Sequence, residues 1–267
     1  MAIDETSLYS GGASQSRHRP QQPGAVAAGD EPAGGSEPLY RRALAIWEES
    51  LGSDHPQVAI GLNNLATLLK ATNRLAEAEP LMRRALAIDE ASFGPEHPHI
   101  ARDLNNLAQL LQATNRLAEA EPLMRRALAI DEASFGPEHP NVAIRLSNLA
   151  SLLQATNRLV EAEPLMRRAL AIDEASFGPE HPDVAIDLNN LAGLLRATNR
   201  LAEAEPLMRR MVTIFCDFTR RTGHPHPHLF DAIGNYWSLL EEMNVPKQDR
   251  FQRLLTAGVD PTWFQKE

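Results

Sequence analysis

The sequence predicts an all-α chain, a right-handed solenoid of stacked antiparallel helix pairs. Three observations carry this. The block "GPEHPHIARDLNNLAQLLQATNRLAEAEPLMRRALAIDEASF" at 94–135 returns with few changes in the blocks that begin at Gly52 and Gly136, a period of 42 residues. Within each block the apolar residues recur at helical spacing: Val58, Leu62, Leu65 and Leu69 stand at i, i+4, i+7 and i+11. Turn residues interrupt each block at the same two places, "TNR" and "GPEHP". A fixed period of this length marks stacked supersecondary units. Each unit has too little apolar surface to fold alone and buries its faces on its neighbours.

The elements follow in order. Residues 1–36 are rich in Gly, Ser, Pro, Ala and Gln and read as a disordered tail. Residues 37–54 form a half repeat. "SEPLYRRALAIWEES" matches "AEPLMRRALAIDEAS" one period on and supplies only the second helix of a pair, helix B. Residues 55–222 hold four units, with helix A near 56–71, 98–113, 140–155 and 182–197. Pro98 opens its helix at the first position, where a missing N–H costs nothing. Asn115 in "TNR" suits a left-handed C-terminal conformation. Helix B then runs from about Leu117 to Phe135. Its facing stripe in the first unit is Leu75, Ala78, Met82, Ala85 and Ile88, and Ala59 and Ala66 of helix A allow close approach. Pro80, Pro122, Pro164 and Pro206 fall two turns into helix B, where a backbone bond is lost. Either helix B begins after them or it bends there. Its outer face, with Glu79/Arg83, Glu121/Arg125, Glu163/Arg167 and Glu205/Arg209 in the favourable i,i+4 order, reads as an ordinary solvated surface. Residues 223–267 form a divergent cap. Tyr236 and Trp237 stand where the unit before has Leu191 and Ala192, and a last short helix at 247–258 is closed by Gly258 and Pro261.

Leu188, Leu191, Ala192, Leu195, Leu201, Ala204 and Met208 resemble the signature positions of a tetratricopeptide repeat. The 42-residue period, the "FGPEHPxVA" link and the "LNNLA" core resemble the kinesin light chain-like subclass over about residues 37–245. Glu138 departs from it where Asp is usual, and Ser147 where Asn is usual. The resemblance implies a non-catalytic protein–protein interaction scaffold whose concave groove, lined by helix A, binds short acidic peptides.

Differences between near-identical units point to the same surface. Helix A varies chiefly at Gln57, Ile60, Gly61, Asn63, Thr67, Lys70 and their equivalents. Positions 60, 63, 67 and 70 lie on one arc away from the leucines. The arc reads Ile60, Asn63, Thr67, Lys70; Arg102, Asn105, Gln109, Gln112; Ile144, Ser147, Ser151, Gln154; and Ile186, Asn189, Gly193, Arg196, with no carboxylate. Its polar members are the candidate peptide-binding residues. Asn is a mediocre helix former, disfavoured by about 0.5–0.7 kcal/mol against Ala, so the doubled amides call for a compensating role. An Asn side chain offers donors and an acceptor to an extended backbone. The first asparagines, Asn63, Asn105 and Asn189, are expected to face a ligand. Asn64, Asn106, Asn148 and Asn190 are expected at the groove edge or between repeats. The alternative is that the amides bond the adjacent unit and set the stacking. Lys70, Arg102 and Arg196 would match an acidic partner.

Composition closes off other classes. The 267-residue chain carries a net charge of −9 and a pI near 5.5, against any phosphate-neutralising nucleic-acid grip. The single cysteine, Cys216, allows no intrachain disulfide. No apolar run approaches the ~20 residues that span a bilayer, and no secretory signal is read at the N-terminus, so a cytoplasmic location is expected. Neither a cofactor nor a metal is expected. "HPHPH" at 224–228 reads as a proline-flanked loop, because zinc requires three or four converging ligands. No catalytic motif stands out, and the expectation is that the chain is not an enzyme. Self-association through the exposed half repeat at 37–51 is a further partner expectation. The second functional reading is a sensor or assembly arm, or truncated fragment, of a larger signalling enzyme such as a nucleotide-binding ATPase.

Overall fold

The structure, a computed structural model, describes residues 36–264, so the tail read as disordered lies outside the described residues but for Ser36. Eleven α-helices follow one another: α1 Glu37–Leu51, α2 Pro56–Ala71, α3 Leu75–Phe93, α4 Pro98–Ala113, α5 Leu117–Phe135, α6 Pro140–Ala155, α7 Leu159–Phe177, α8 Pro182–Ala197, α9 Leu201–Thr222, α10 Leu229–Glu242 and α11 Lys247–Thr256, with a closing 3₁₀ turn at Pro261–Phe264. No strand occurs among the described residues. Helix A of each unit is α2, α4, α6 or α8, and helix B is α3, α5, α7 or α9. The described residues divide into two compact units, 36–152 and 153–264.

Local chemistry places every boundary of the repeat. A histidine caps α2, α4, α6 and α8. The Nδ1 atoms of His55, His97, His139 and His181 accept the N–H two residues on, in Gln57, His99, Asn141 and Asp183. A ring nitrogen thus does the work that a Ser or Asp oxygen usually does at an N-cap. The ring also stacks on the phenylalanine that ends the preceding helix, as in Phe93–His97 at 4.9 Å and Phe135–His139 at 4.7 Å. At the other end, Asn73, Asn115, Asn157 and Asn199 adopt positive φ near 59°. The N–H of Arg74 reaches the carbonyl of Leu69 and that of Asn73 reaches Lys70, the paired bonds that close a helix around a left-handed residue.

Helix B begins where the "TNR" turn ends and runs through its proline without interruption. Pro80 is the sixth residue of α3. Its missing N–H would have bonded the carbonyl of Ala76, an exposed residue of the first turn where water can take its place.

In the unit 36–152, Val58, Ala59, Leu62, Leu65, Ala66 and Leu69 of α2 are all buried, and Ala78, Met82, Ala85 and Ile88 of α3 face them. The same positions repeat around Ile100, Ala101, Leu104, Ala127 and Ile130. The outer face of helix B is more than a solvated surface. Arg84 donates to Glu48 Oε1 at 2.6 Å and to the carbonyl of Ser53 at 2.9 Å, and Arg126 repeats both bonds one period on with Glu90 and Pro95. Arg116 of the turn reaches back to Glu79 at 2.7 Å, so Glu79 serves two arginines, Arg83 within its helix and Arg116 from the next turn. Sequence spacing shows the first pairing and not the second. α1 packs on α2 through Leu44 and Trp47. Its other side exposes Leu39 (67%) and Ile46 (52%), where the equivalent Ile88 of α3 is buried.

In the unit 153–264 the pattern continues through α7, α8 and α9, with Arg210 bonding Pro179 and Arg200 bonding Glu163. The end is closed by aromatic residues. Tyr236 is fully buried and its hydroxyl donates to Glu205 at 2.7 Å, while the Arg250 guanidinium lies 4.7 Å from the Trp237 ring centroid. Cys216 is buried, which pushes its thiol up to about 12. His226 of "HPHPH" stacks on Phe215 at 4.3 Å, and its burial brings its pKa down to about 4.

Gly61 has a steric reason. A Cβ there would lie 2.9 Å from Cζ3 of Trp47. Gly61→Ala is expected to destabilise the chain by about 1–3 kcal/mol, read as a fall in the urea midpoint with unchanged m.

Candidate peptide-binding face of helix A

On α2 and α4 the arc opposite the leucines forms a shallow depression lined by Ile60, Asn63, Asn64, Thr67, Arg102 and Asn106. The structure brings these residues together, and it separates the two asparagines of each pair. Asn63 is 7% exposed and its Nδ2 donates to Asp103 Oδ1 of the next A helix at 2.8 Å. Asn105 is 4% exposed and accepts from Nδ2 of Asn148 at 2.8 Å. Asn189 likewise accepts from Asn235 at 3.2 Å. The first asparagines, expected to face a ligand, are therefore engaged between successive A helices. The physical reason is that the arc starts close to the A–A contact, and a buried amide must find a partner there.

The second asparagines behave differently along the chain. Asn148 and Asn235 are the donors of the rungs just described. The side chains of Asn64 and Asn106 make no hydrogen bond among the described residues, and both line the depression. Between α2 and α4 no such rung is present: the Nδ2 of Asn63 is turned to Asp103, and its Oδ1 accepts no hydrogen bond. Thr67 is exposed, with its hydroxyl on the carbonyl of Asn63 at 2.8 Å. Ser151 repeats that bond to Ser147, which is itself buried. Gln109 accepts from Lys70 Nζ at 3.0 Å. Gln112 and Gln154 are half-buried on the same arc, and Asn190 is half-buried beside it.

The three cations expected to match an acidic partner all make contacts within the chain. Burial lowers the Lys70 pKa. Arg196 makes a two-pronged contact with Glu242, Nε to Oε2 at 2.7 Å, and that bond raises its pKa. Arg102 lies 3.2 Å from Asp103 and 3.6 Å from Asp89, with its side chain 37% exposed.

Sequence reasoning missed the acids beneath the arc. Asp89, Asp103, Asp131, Asp173 and Asp187 are all buried, as is Arg145, whose Nε donates to Asp131 Oδ2 at 2.7 Å. The available signal was position 61 and its equivalents, which read Gly61, Asp103, Arg145 and Asp187 in otherwise copied helices. Among the described residues no three His, Cys, Asp or Glu side chains converge as a metal site, and no helix is long and apolar enough to cross a membrane.

Paired helices closed by histidine caps and left-handed asparagines, with a polar arc on helix A, define an α-solenoid repeat protein of the protein-interaction class. The sequence profile of the tetratricopeptide repeat matches residues 33–91, 62–133, 104–175 and 143–217, and the chain belongs to that family. Its repeats are of the kinesin light chain-like kind. Two crystal structures of a kinesin light chain-like protein of Podosopora anserina, built of nearly identical TPR-like repeats, are similar to it at 26% identity, with TM-scores of 0.62 and 0.60, over 70% of this chain and 89% of theirs. BtubC (BKLC) from P. vanneervenii shares the fold at 22% identity and TM-score 0.65, over 86% of this chain and 91% of that one. No curated protein matches the chain.

The two asparagines of a pair should separate in stability measurements. Asn63→Ala removes a buried bond to a carboxylate and is expected to cost about 1.5–3 kcal/mol, whereas Asn64→Ala should stay within about 0.5 kcal/mol of the parent in urea unfolding. Arg145→Ala leaves Asp131 buried without its cation and is expected to cost about 3–5 kcal/mol in the same measurement.

Proposed function

We propose that the chain is a non-catalytic scaffold that holds an extended peptide segment of another protein along the A helices, with its first contacts at the depression on α2 and α4. The observation that carries this is the pair of side-chain amides, Asn64 and Asn106, which line the depression and make no hydrogen bond among the described residues. Each offers two donors and an acceptor, the set that a peptide backbone can use. Ile60, 39% exposed, and Thr67, two turns on along the same helix, also line the depression. Family membership supports the coarser reading, a protein or peptide partner.

A preference for acidic segments rests on Arg102, because Lys70 and Arg196 are occupied within the chain. Arg102 already stands between two carboxylates, so a ligand acid must compete with them for its donors. The expected preference is therefore modest, a contribution to specificity more than to affinity.

Titration of fluorescein-labelled acidic, neutral and basic peptides of equal length against the full chain tests the reading. The acidic peptide should bind most tightly, and Asn64→Ala with Asn106→Ala should weaken it by about tenfold, near 1.4 kcal/mol, while the urea midpoint is unchanged. Equal affinity in the double variant, or no binding of any peptide to the parent, would remove this face from consideration.

A further inference from the structure

In the unit 36–152 successive B helices meet the following A helix through different side-chain pairs at the same two positions. These are Trp47 with Gly61, Asp89 with Asp103, and Asp131 with Arg145. The first is a steric fit and the third an ion pair. The middle one sets two acids together, at 1% and 0% exposure.

The surroundings of that pair are incomplete for two ionised groups. One guanidinium, that of Arg102, serves both carboxyls: Nε and Nη2 each donate to Asp103 Oδ1 at 3.2 Å, and Nη2 lies 3.6 Å from Asp89 Oδ2. Asn63 of α2 donates to the same Oδ1 of Asp103 and brings no charge. Oδ1 of Asp89 and Oδ2 of Asp103 accept no hydrogen bond at all. Two negative charges would then share one positive charge in a water-poor junction, with two bare acceptors. One proton between the carboxyls removes the charge excess and supplies the missing donor. The other titratable groups near the junction are His97 and His99 at the start of α4, while Glu90 of α3 is turned outward to Arg126.

We propose that Asp89 and Asp103 hold one proton between them near neutral pH, and that its loss weakens the α3–α4 junction. The direction of titration agrees: burial first, then the facing Asp103, pushes Asp89 up to about 7, with Arg102 pulling the other way. In the unfolded chain an aspartate ionises near ~3.9. Between those values the folded chain binds a proton that the unfolded chain does not. Stability from this pair is therefore greatest below about pH 4, falls as pH rises to about 7, and is level above it. Carboxylates held low by arginine, such as Glu119 beside Arg116, act in the opposite sense and mask the trend in the whole chain. The difference between variants isolates it.

The test is a carbon-13 NMR titration of the aspartate carboxyls in the full chain, with Asp89 and Asp103 assigned through their own backbone resonances. A step near pH 7 is expected at Asp89, whose buried carboxyl stands beside a second one. Asp89→Asn, which keeps the shape and supplies a permanent donor, should abolish that step. Its thermal midpoint should gain steadily on the parent's between about pH 4 and about pH 7, and run parallel above. Completion of both carboxyl titrations below about pH 5 in the parent overturns the proposal, whether or not the variant folds. So does a midpoint difference that is independent of pH.

Discussion

The constraint on which the described structure depends is the enclosure of helix A. In the unit 36–152, α4 lies between α3 and α5, and its residues Ile100, Ala101, Leu104, Leu107, Ala108 and Leu111 are buried. Small residues at Ala101 and Ala108 let the backbones approach, and the leucines fill the space that remains. A helix closed in this way has one narrow edge left for polar side chains. Both the stacking bonds and any ligand must use that edge, so the two demands compete for the same few amides.

That competition explains the doubled asparagine. The Asn105–Asn148 rung shows the stacking use, with donor and acceptor on successive A helices. Between α2 and α4 that rung is absent, and the Nδ2 of Asn63 donates to Asp103 instead. The outer arginines serve a related end on the far side. Arg84 and Arg126 each tie a B helix to the one before it and to the loop between, contacts that are exposed and individually weak but are repeated with the period.

The buried charges sit where the repeat is least uniform. Trp47 with Gly61, Asp89 with Asp103 and Asp131 with Arg145 occupy equivalent places, yet one is a matter of shape, one of protonation and one of ion pairing. The B-helix residue is aspartate in α3, α5 and α7 alike, so the difference between these junctions comes from the A-helix residue that meets it.

The sequence by itself determined the fold class, the helix boundaries and the turn chemistry, because these depend on contacts within a few residues and on a pattern repeated four times. Pro98 at a helix start, Asn115 at a left-handed stop and the leucine spacing each act locally. Tertiary structure decided which amides are available. Asn63 and Asn64 are neighbours in the chain, and only the approach of Asp103, 40 residues away, gives Asn63 its buried partner. It also decided that Lys70 and Arg196 are occupied, by Gln109 and by Glu242. A helical arc shows which side chains point the same way. What stands opposite them is set by the next helix, at distances that no local pattern encodes.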